Sequence, residues 1–169
     1  MTGQVPASTT SAIDAICMAY TSGGGHSRPN TSTELATLLP SLATPGAKDD
    51  VREKDDVYYI ARDGTENHIE IKTPKPNYDQ LRAAKRRILR IHVARHPAKV
   101  RALVALPYNP NGYFGPYGWP TTPFFLDNDT DILIGRAFSV LSVTFSRSGG
   151  EVQQTFRGGP DFRLGQPRT

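Results

Sequence analysis

The stretch from His68 to Pro76 constrains the fold of this chain more than any other. His68-Ile69-Glu70-Ile71-Lys72 alternates polar and apolar side chains, the period-two pattern of a strand with two different faces. Pro74 and Pro76 then end sheet pairing, because proline has no amide hydrogen to donate. Upstream, Val57–Ala61 is β-branched and aromatic and reads as a second strand, linked to the first through the turn-like Arg62-Asp63-Gly64-Thr65-Glu66. Downstream, Asn77 is a good helix N-cap. Leu81, Ala84, Ile88 and Ile91 follow at a 3-4-3 spacing with Leu89 beside them, so a helix is predicted to run to just before Pro97. Val100–Leu106 is almost continuously apolar, as expected of a strand covered on both faces. Hairpin, crossover helix and buried strand together predict an α/β core around a mixed sheet.

The rest of the chain is less informative. A hydrophobic content of 37% with 15 Gly and 14 Pro predicts a modest core, placed within residues 51–142. Residues 1–50 read as a polar Gly/Ser/Thr-rich segment with short helices over Thr10–Tyr20 and Thr31–Leu39. Residues 107–124 read as a long structured loop, 131–141 as a short helix or strand, and 143–169 as a poorly structured tail. A single cysteine, Cys17, excludes an internal disulfide framework and a cysteine-based zinc site, and fits a reduced, cytoplasmic setting. No apolar run has the length of a transmembrane helix, and Met1–Thr10 lacks the pattern of a secretory signal. The formal charge of +4 permits a polyanionic partner.

Side chains two apart on a strand share a face, so Glu70 and Lys72 stand together while Ile69 and Ile71 face the core. The hairpin register decides which aspartate joins them. A turn centred on Gly64 sets Asp56 opposite Lys72, and one centred on Asp63 sets Asp56 opposite Glu70. A tight turn of Asp63-Gly64 alone slips the register by one and sets Asp55 opposite Lys72 instead. The breadth of the turn-like stretch favours Asp56. Asp56, Glu70 and the Ile71 carbonyl offer hard oxygen ligands to Mg²⁺. With Lys72 to orient or help deprotonate a water, the set suits phosphodiester hydrolysis. The plainer reading is a solvated strand face with a weak surface ion pair; the order of elements around it favours chemistry.

The predicted helix carries Arg82, Lys85, Arg86, Arg87 and Arg90, with Arg82, Arg86 and Arg90 recurring every four residues as a stripe suited to DNA phosphates. A solvated helix face is the competing reading. Lys75 and Asn77 sit at the helix N-terminus, a natural position for an anion. The loop with Tyr108, Asn109, Asn111, Tyr113, Tyr117 and Trp119 reads as an aromatic mini-core before it reads as a DNA-groove contact. Glu34 is a candidate extra metal carboxylate from a preceding helix. His68 reads as structural, and His26, His92 and His96 show no zinc spacing.

Four segments in order carry a family resemblance: Lys54-Asp55-Asp56-Val57-Tyr58, Glu70-Ile71-Lys72-Thr73-Pro74-Lys75-Pro76-Asn77, Pro107-Tyr108-Asn109-Pro110, and Ile134-Gly135 ahead of Phe138. Together, over about residues 50–140, the chain resembles the TdeIII-type family of type II restriction endonucleases, within the PD-(D/E)XK nuclease superfamily. The resemblance implies a restriction-endonuclease-like core and a Mg²⁺-dependent, site-specific cut in double-stranded DNA. It also implies a homodimer, catalytic roles for Asp56, Glu70 and Lys72, and the interrupted palindrome GGNCC associated with the family. Residues 1–50 and 142–169 depart from the family pattern. The alternatives are another nuclease of this fold, such as a junction resolvase or repair nuclease, or a truncated DNA-binding fragment without activity.

Overall fold

A computed structural model describes residues 1–21, 28–112 and 117–135. In chain order the elements are β1 (Thr2–Pro6), α1 (Ala7–Thr21), α2 (Thr31–Leu38) followed by a 3₁₀ turn (Leu39–Ala43), β2 (Lys48–Arg52), β3 (Val57–Ile60), β4 (Glu66–Ile71), α3 (Tyr78–Arg95), β5 (Val100–Leu106) and β6 (Ile132–Ile134). A four-stranded sheet runs β3-β4-β5-β6, with β3 antiparallel to β4 and the other two pairings parallel. The α/β class and the mixed sheet are those read from the sequence, and they match a restriction-endonuclease-like fold.

The central element is α3. It starts at a capping box: the Asn77 side chain accepts from the Gln80 amide at 2.9 Å, and the Gln80 side chain accepts from the Asn77 amide at 2.9 Å. Leu81, Ala84, Ile88 and Ile91 pack on Ala102, Val104 and Leu106 of β5, with Phe125, Leu126 and Ile132 completing that core. Each leucine, isoleucine, valine or phenylalanine among them, fully withdrawn from water, contributes about 1.5–3 kcal/mol.

A second face of α3, Leu89 and Val93, packs on Val5, Ile13, Cys17, Leu38 and Val51. Residues 1–50 were expected as a polar flank. Instead they lay α1 and α2 against α3, and β1 pairs antiparallel with β2 from Thr2↔Arg52 to Pro6↔Lys48. Polar composition concealed this, because only Val5 and Pro6 of β1 and Val51 of β2 point inward. A third cluster, Ile69, Leu103, Ala105 and Leu133, lies on the sheet face away from α3. Ile69 is fully buried there. The face of Glu70 is therefore the one that α3 covers, and the strand end lies just ahead of the helix N-terminus.

The stretch expected to be a helix or strand from residue 131 is the short strand β6. Tyr113, Phe138, His26 and the tail over 143–169 lie outside the described residues. Among the described residues no helix is long and apolar enough to cross a membrane.

Candidate active site

The hairpin between β3 and β4 sets the register. Ala61 N–H donates to Thr65 O at 2.8 Å and Gly64 N–H to Ala61 O at 2.9 Å, leaving Arg62-Asp63-Gly64 as the loop. Gly64 takes φ +79°, the left-handed position that ends a three-residue hairpin loop and that only glycine adopts freely. Asp63 fixes the turn from within, its Oδ1 accepting from the Thr65 amide at 3.0 Å. The loop is centred on Asp63, giving Val57↔Ile69 and Tyr58↔His68.

Asp56 follows immediately beyond the last pair. Its amide donates to Ile69 O at 3.0 Å and its Oδ2 accepts from the Ile71 amide at 2.7 Å, so it binds the backbone on both sides of Glu70. Lys72 Nζ lies 2.5 Å from Glu70 Oε1, and both side chains keep about a fifth of their surface in contact with solvent, 23% and 19%. The Lys72 amide donates to Ala105 O at 2.9 Å, which ties the strand end to β5. Asp56, Glu70 and Lys72 thus meet at the C-terminal end of β4, with the Ile71 backbone between them.

The donor set fits a divalent cation. Glu70 Oε2 is buried and has no hydrogen-bond partner, an arrangement that ordinarily costs free energy. Lys72 balances one of two carboxylate charges. Among the described residues no group of three or more His, Cys, Asp or Glu gathers as an all-protein metal cage. Two carboxylates and a main-chain carbonyl are hard oxygen donors of the kind a small divalent cation takes.

Asp55 points elsewhere. It is almost buried and pairs with Arg87 of α3, and its Oδ2 lies 3.0 Å from His68 Nδ1. His68 Nε2 lies 3.4 Å from Glu66, which in turn pairs with Arg95. The Arg95 guanidinium holds the Glu66 carboxyl below the usual carboxylate range, and Glu66 holds Arg95 correspondingly higher. This is an internal ionic chain fastening β4 to α3, as the structural reading of His68 anticipated.

The basic helix requires correction. Lys85 has no exposed surface: its Nζ lies 2.5 Å from Glu34 and 3.2 Å from Asp131, and it donates to Thr31 at 2.8 Å. A buried, doubly paired ammonium is not available to DNA. Glu34, read as a possible metal ligand, is held by Lys85 and by the Tyr20 hydroxyl. The arginine stripe exists, but Arg86 binds Asp14 of α1 at 2.7 Å and Arg90 lies 3.4 Å from Glu53. Arg82 pairs at the surface with Asp79. Lys75 and Asn77 are exposed, with Asn77 engaged in the cap.

The family described as "Type II restriction endonuclease, HinfI" matches residues 1–139. The chain belongs to this family. It is 29% identical over 130 residues to the type II restriction enzyme HgiEI of Herpetosiphon aurantiacus, covering 75% of this chain and 47% of that enzyme. It is 31% identical over 109 residues to the type II restriction enzyme HgiCII of the same organism, covering 63% and 40%. The chain therefore spans half or less of the length of these relatives. No solved structure matches it. The family shown is HinfI; the TdeIII-type likeness holds at the broader level of type II restriction endonucleases.

In this HinfI-family chain, sequence reasoning named the residues that gather at the β4 end and missed the groups that fix their surroundings. The ion pairs of Arg87, Glu66, Arg95 and Asp131 were not anticipated, because charged residues on a helix or in a turn read as solvated. Asp131 lies 46 residues from Lys85, and Arg87 lies 32 from Asp55. No local spacing links such pairs.

Proposed function

We propose that this chain carries the catalytic part of a type II restriction endonuclease, hydrolysing phosphodiester bonds of double-stranded DNA with Mg²⁺. The observation that carries the reading is the binding of Asp56 to the backbone on either side of Glu70, with Lys72 beside Glu70 at a strand end, in a chain of the HinfI family. Asp56, Glu70 and the Ile71 carbonyl are the residues to hold Mg²⁺, which when bound polarises the scissile phosphate and offsets charge developing on it. Lys72, held beside Glu70, orients the attacking water by donating an ammonium hydrogen to its oxygen. The hydrogen bond from the Ile71 amide keeps the Asp56 carboxylate from turning away from Glu70. Lys75 and Asn77, with Arg82 at the surface, are the proposed contacts to backbone phosphate.

The relatives are named type II restriction enzymes, and this chain's own substrate is a proposal that follows from them. The TdeIII-type resemblance of Glu70–Asn77 belongs to the same proposal, as does the target GGNCC. A palindromic duplex presents two equivalent strands, so two copies are proposed to act together. Incubation with plasmid and phage DNA tests the reading. Discrete fragments with Mg²⁺ and none in chelator are expected. Intact DNA across several substrates contradicts it, and preferential cutting of four-way junctions would favour the resolvase alternative.

A further inference from the structure

Pro74 and Pro76 are buried, while Thr73, Lys75 and Asn77 between and around them are exposed. Neither proline can donate a backbone hydrogen bond, yet their carbonyls still need donors. Residues 117–121 supply them: the Tyr117 hydroxyl donates to Pro74 O at 3.2 Å, Trp119 Nε1–H to Pro76 O at 3.0 Å, and the Thr121 hydroxyl to Pro76 O at 3.2 Å. Trp119 touches the segment twice, because its ring also lies under the Lys75 ammonium, 5.5 Å from Nζ to the ring centroid. That distance is within the range of a cation–π contact.

Among the described residues Lys75 is also the one lysine or arginine from Lys72 to Arg95 that pairs with no carboxylate. Lys72, Arg82, Lys85, Arg86, Arg87, Arg90 and Arg95 each lie against one. Lys75 is three positions beyond Lys72, a reach of at most roughly 10 Å along the chain. A neutral aromatic face holds the ammonium in place without neutralising it, which leaves the charge available while restricting the lysine rotamers.

We propose that Trp119 is a positioning residue that holds the Lys75 ammonium beside the candidate site for a DNA backbone phosphate neighbouring the one to be cut. The assignment rests on the nuclease reading above and adds to it a residue from outside the catalytic strand. Trp119 is the single tryptophan of the chain, so indole emission comes from this position.

The test is equilibrium binding of a labelled duplex to the full chain in chelator, followed by anisotropy and by Trp119 emission over a range of salt concentrations. The expected result is an emission change on binding in the parent that Lys75→Gln abolishes. In Lys75→Gln and in Trp119→Leu the slope of log K against log salt falls by about one, whereas Trp119→Phe, which keeps a ring, retains the parent slope. Parent slopes in both Lys75→Gln and Trp119→Leu overturn the inference and leave the nuclease reading standing. A reduced slope in Lys75→Gln alone overturns the role of Trp119. If Trp119→Leu does not fold, the parent emission and the Lys75→Gln slope decide. No anisotropy change with any duplex overturns this inference, while the nuclease reading is decided separately by plasmid cleavage with Mg²⁺.

Discussion

Asp55 and Asp56 are adjacent in sequence and opposite in role: Asp56 Oδ2 accepts from the Ile71 amide at 2.7 Å, while Asp55 is almost buried between Arg87 and His68. Their substitutions should therefore separate activity from stability. Asp56→Asn preserves shape and removes the charge, and cleavage is expected to fall at least about 100-fold, matching several kcal/mol of lost metal-borne charge stabilisation. Its unfolding midpoint should change little, since the Asp56 side chain is exposed. Asp55→Ala leaves the Arg87 charge buried and unpaired, at a cost of about 3–5 kcal/mol. The protein that remains folded should still bind metal. Urea unfolding and single-turnover cleavage, measured on both variants, check the division.

Lys85 makes a second division. It has no solvent exposure and lies between Glu34 and Asp131, so Lys85→Met leaves two carboxylates facing each other in the interior. Removing one partner of a buried ionic set costs about 3–5 kcal/mol, and here the gain in apolar packing offsets only part of it. The salt dependence of DNA binding should not change, because the ammonium is not at the surface. A large drop in unfolding midpoint with an unaltered salt slope is the expected pair of results; a reduced slope in a fully stable variant would return Lys85 to the DNA-facing surface.

Acid should destabilise the fold through His92. Burial pushes its imidazole down to about 4, against the nearby Asp131 charge, with His68 and Lys85 adding to the depression. The last turn of α3 favours imidazolium by only about 0.3–1 kcal/mol, which is less than burial costs. The folded pKa lies below the unfolded value of roughly 6.5. Above that pH both states are neutral and stability is intact. As pH falls from about 6.5 to about 4, the unfolded chain takes up a proton that the folded chain refuses, and stability drops by about 3 kcal/mol at most. His92→Gln should flatten this part of the stability–pH curve. Glu66, whose carboxyl is held low by Arg95, acts below the ordinary carboxylate pKa and leaves the upper part of the window to His92.

Much of the fold was legible because it is local. The Asp63-Gly64 pair marks the turn, and Leu81, Ala84, Ile88 and Ile91 mark the buried stripe of α3. Two prolines mark where β4 must stop. What stayed hidden depends on contacts distant in sequence. Gln4 pairs with Asp50, and neither β1 nor β2 has the β-branched density that announces a strand. Leu89 read as an adjunct to one stripe, although with Val93 it forms a second buried face against α1 and α2. The arginines at four-residue spacing do form a stripe on the helix. Their carboxylate partners Asp14 and Glu53 come from other elements, so periodicity alone left the charges facing DNA or solvent. For the candidate site, strand alternation brought Glu70 and Lys72 together, but choosing between Asp55 and Asp56 needed the three-residue loop.

The most direct test of the central claim is plasmid cleavage with Mg²⁺ by the parent chain, Lys72→Ala and Glu70→Gln in parallel, each first shown to be folded by unfolding curves. Discrete fragments from the parent, and rates at least about 100-fold lower in both variants, are the predicted result. Cleavage by Lys72→Ala or Glu70→Gln at the parent rate would contradict the account, because the chemistry would then lie away from the end of β4.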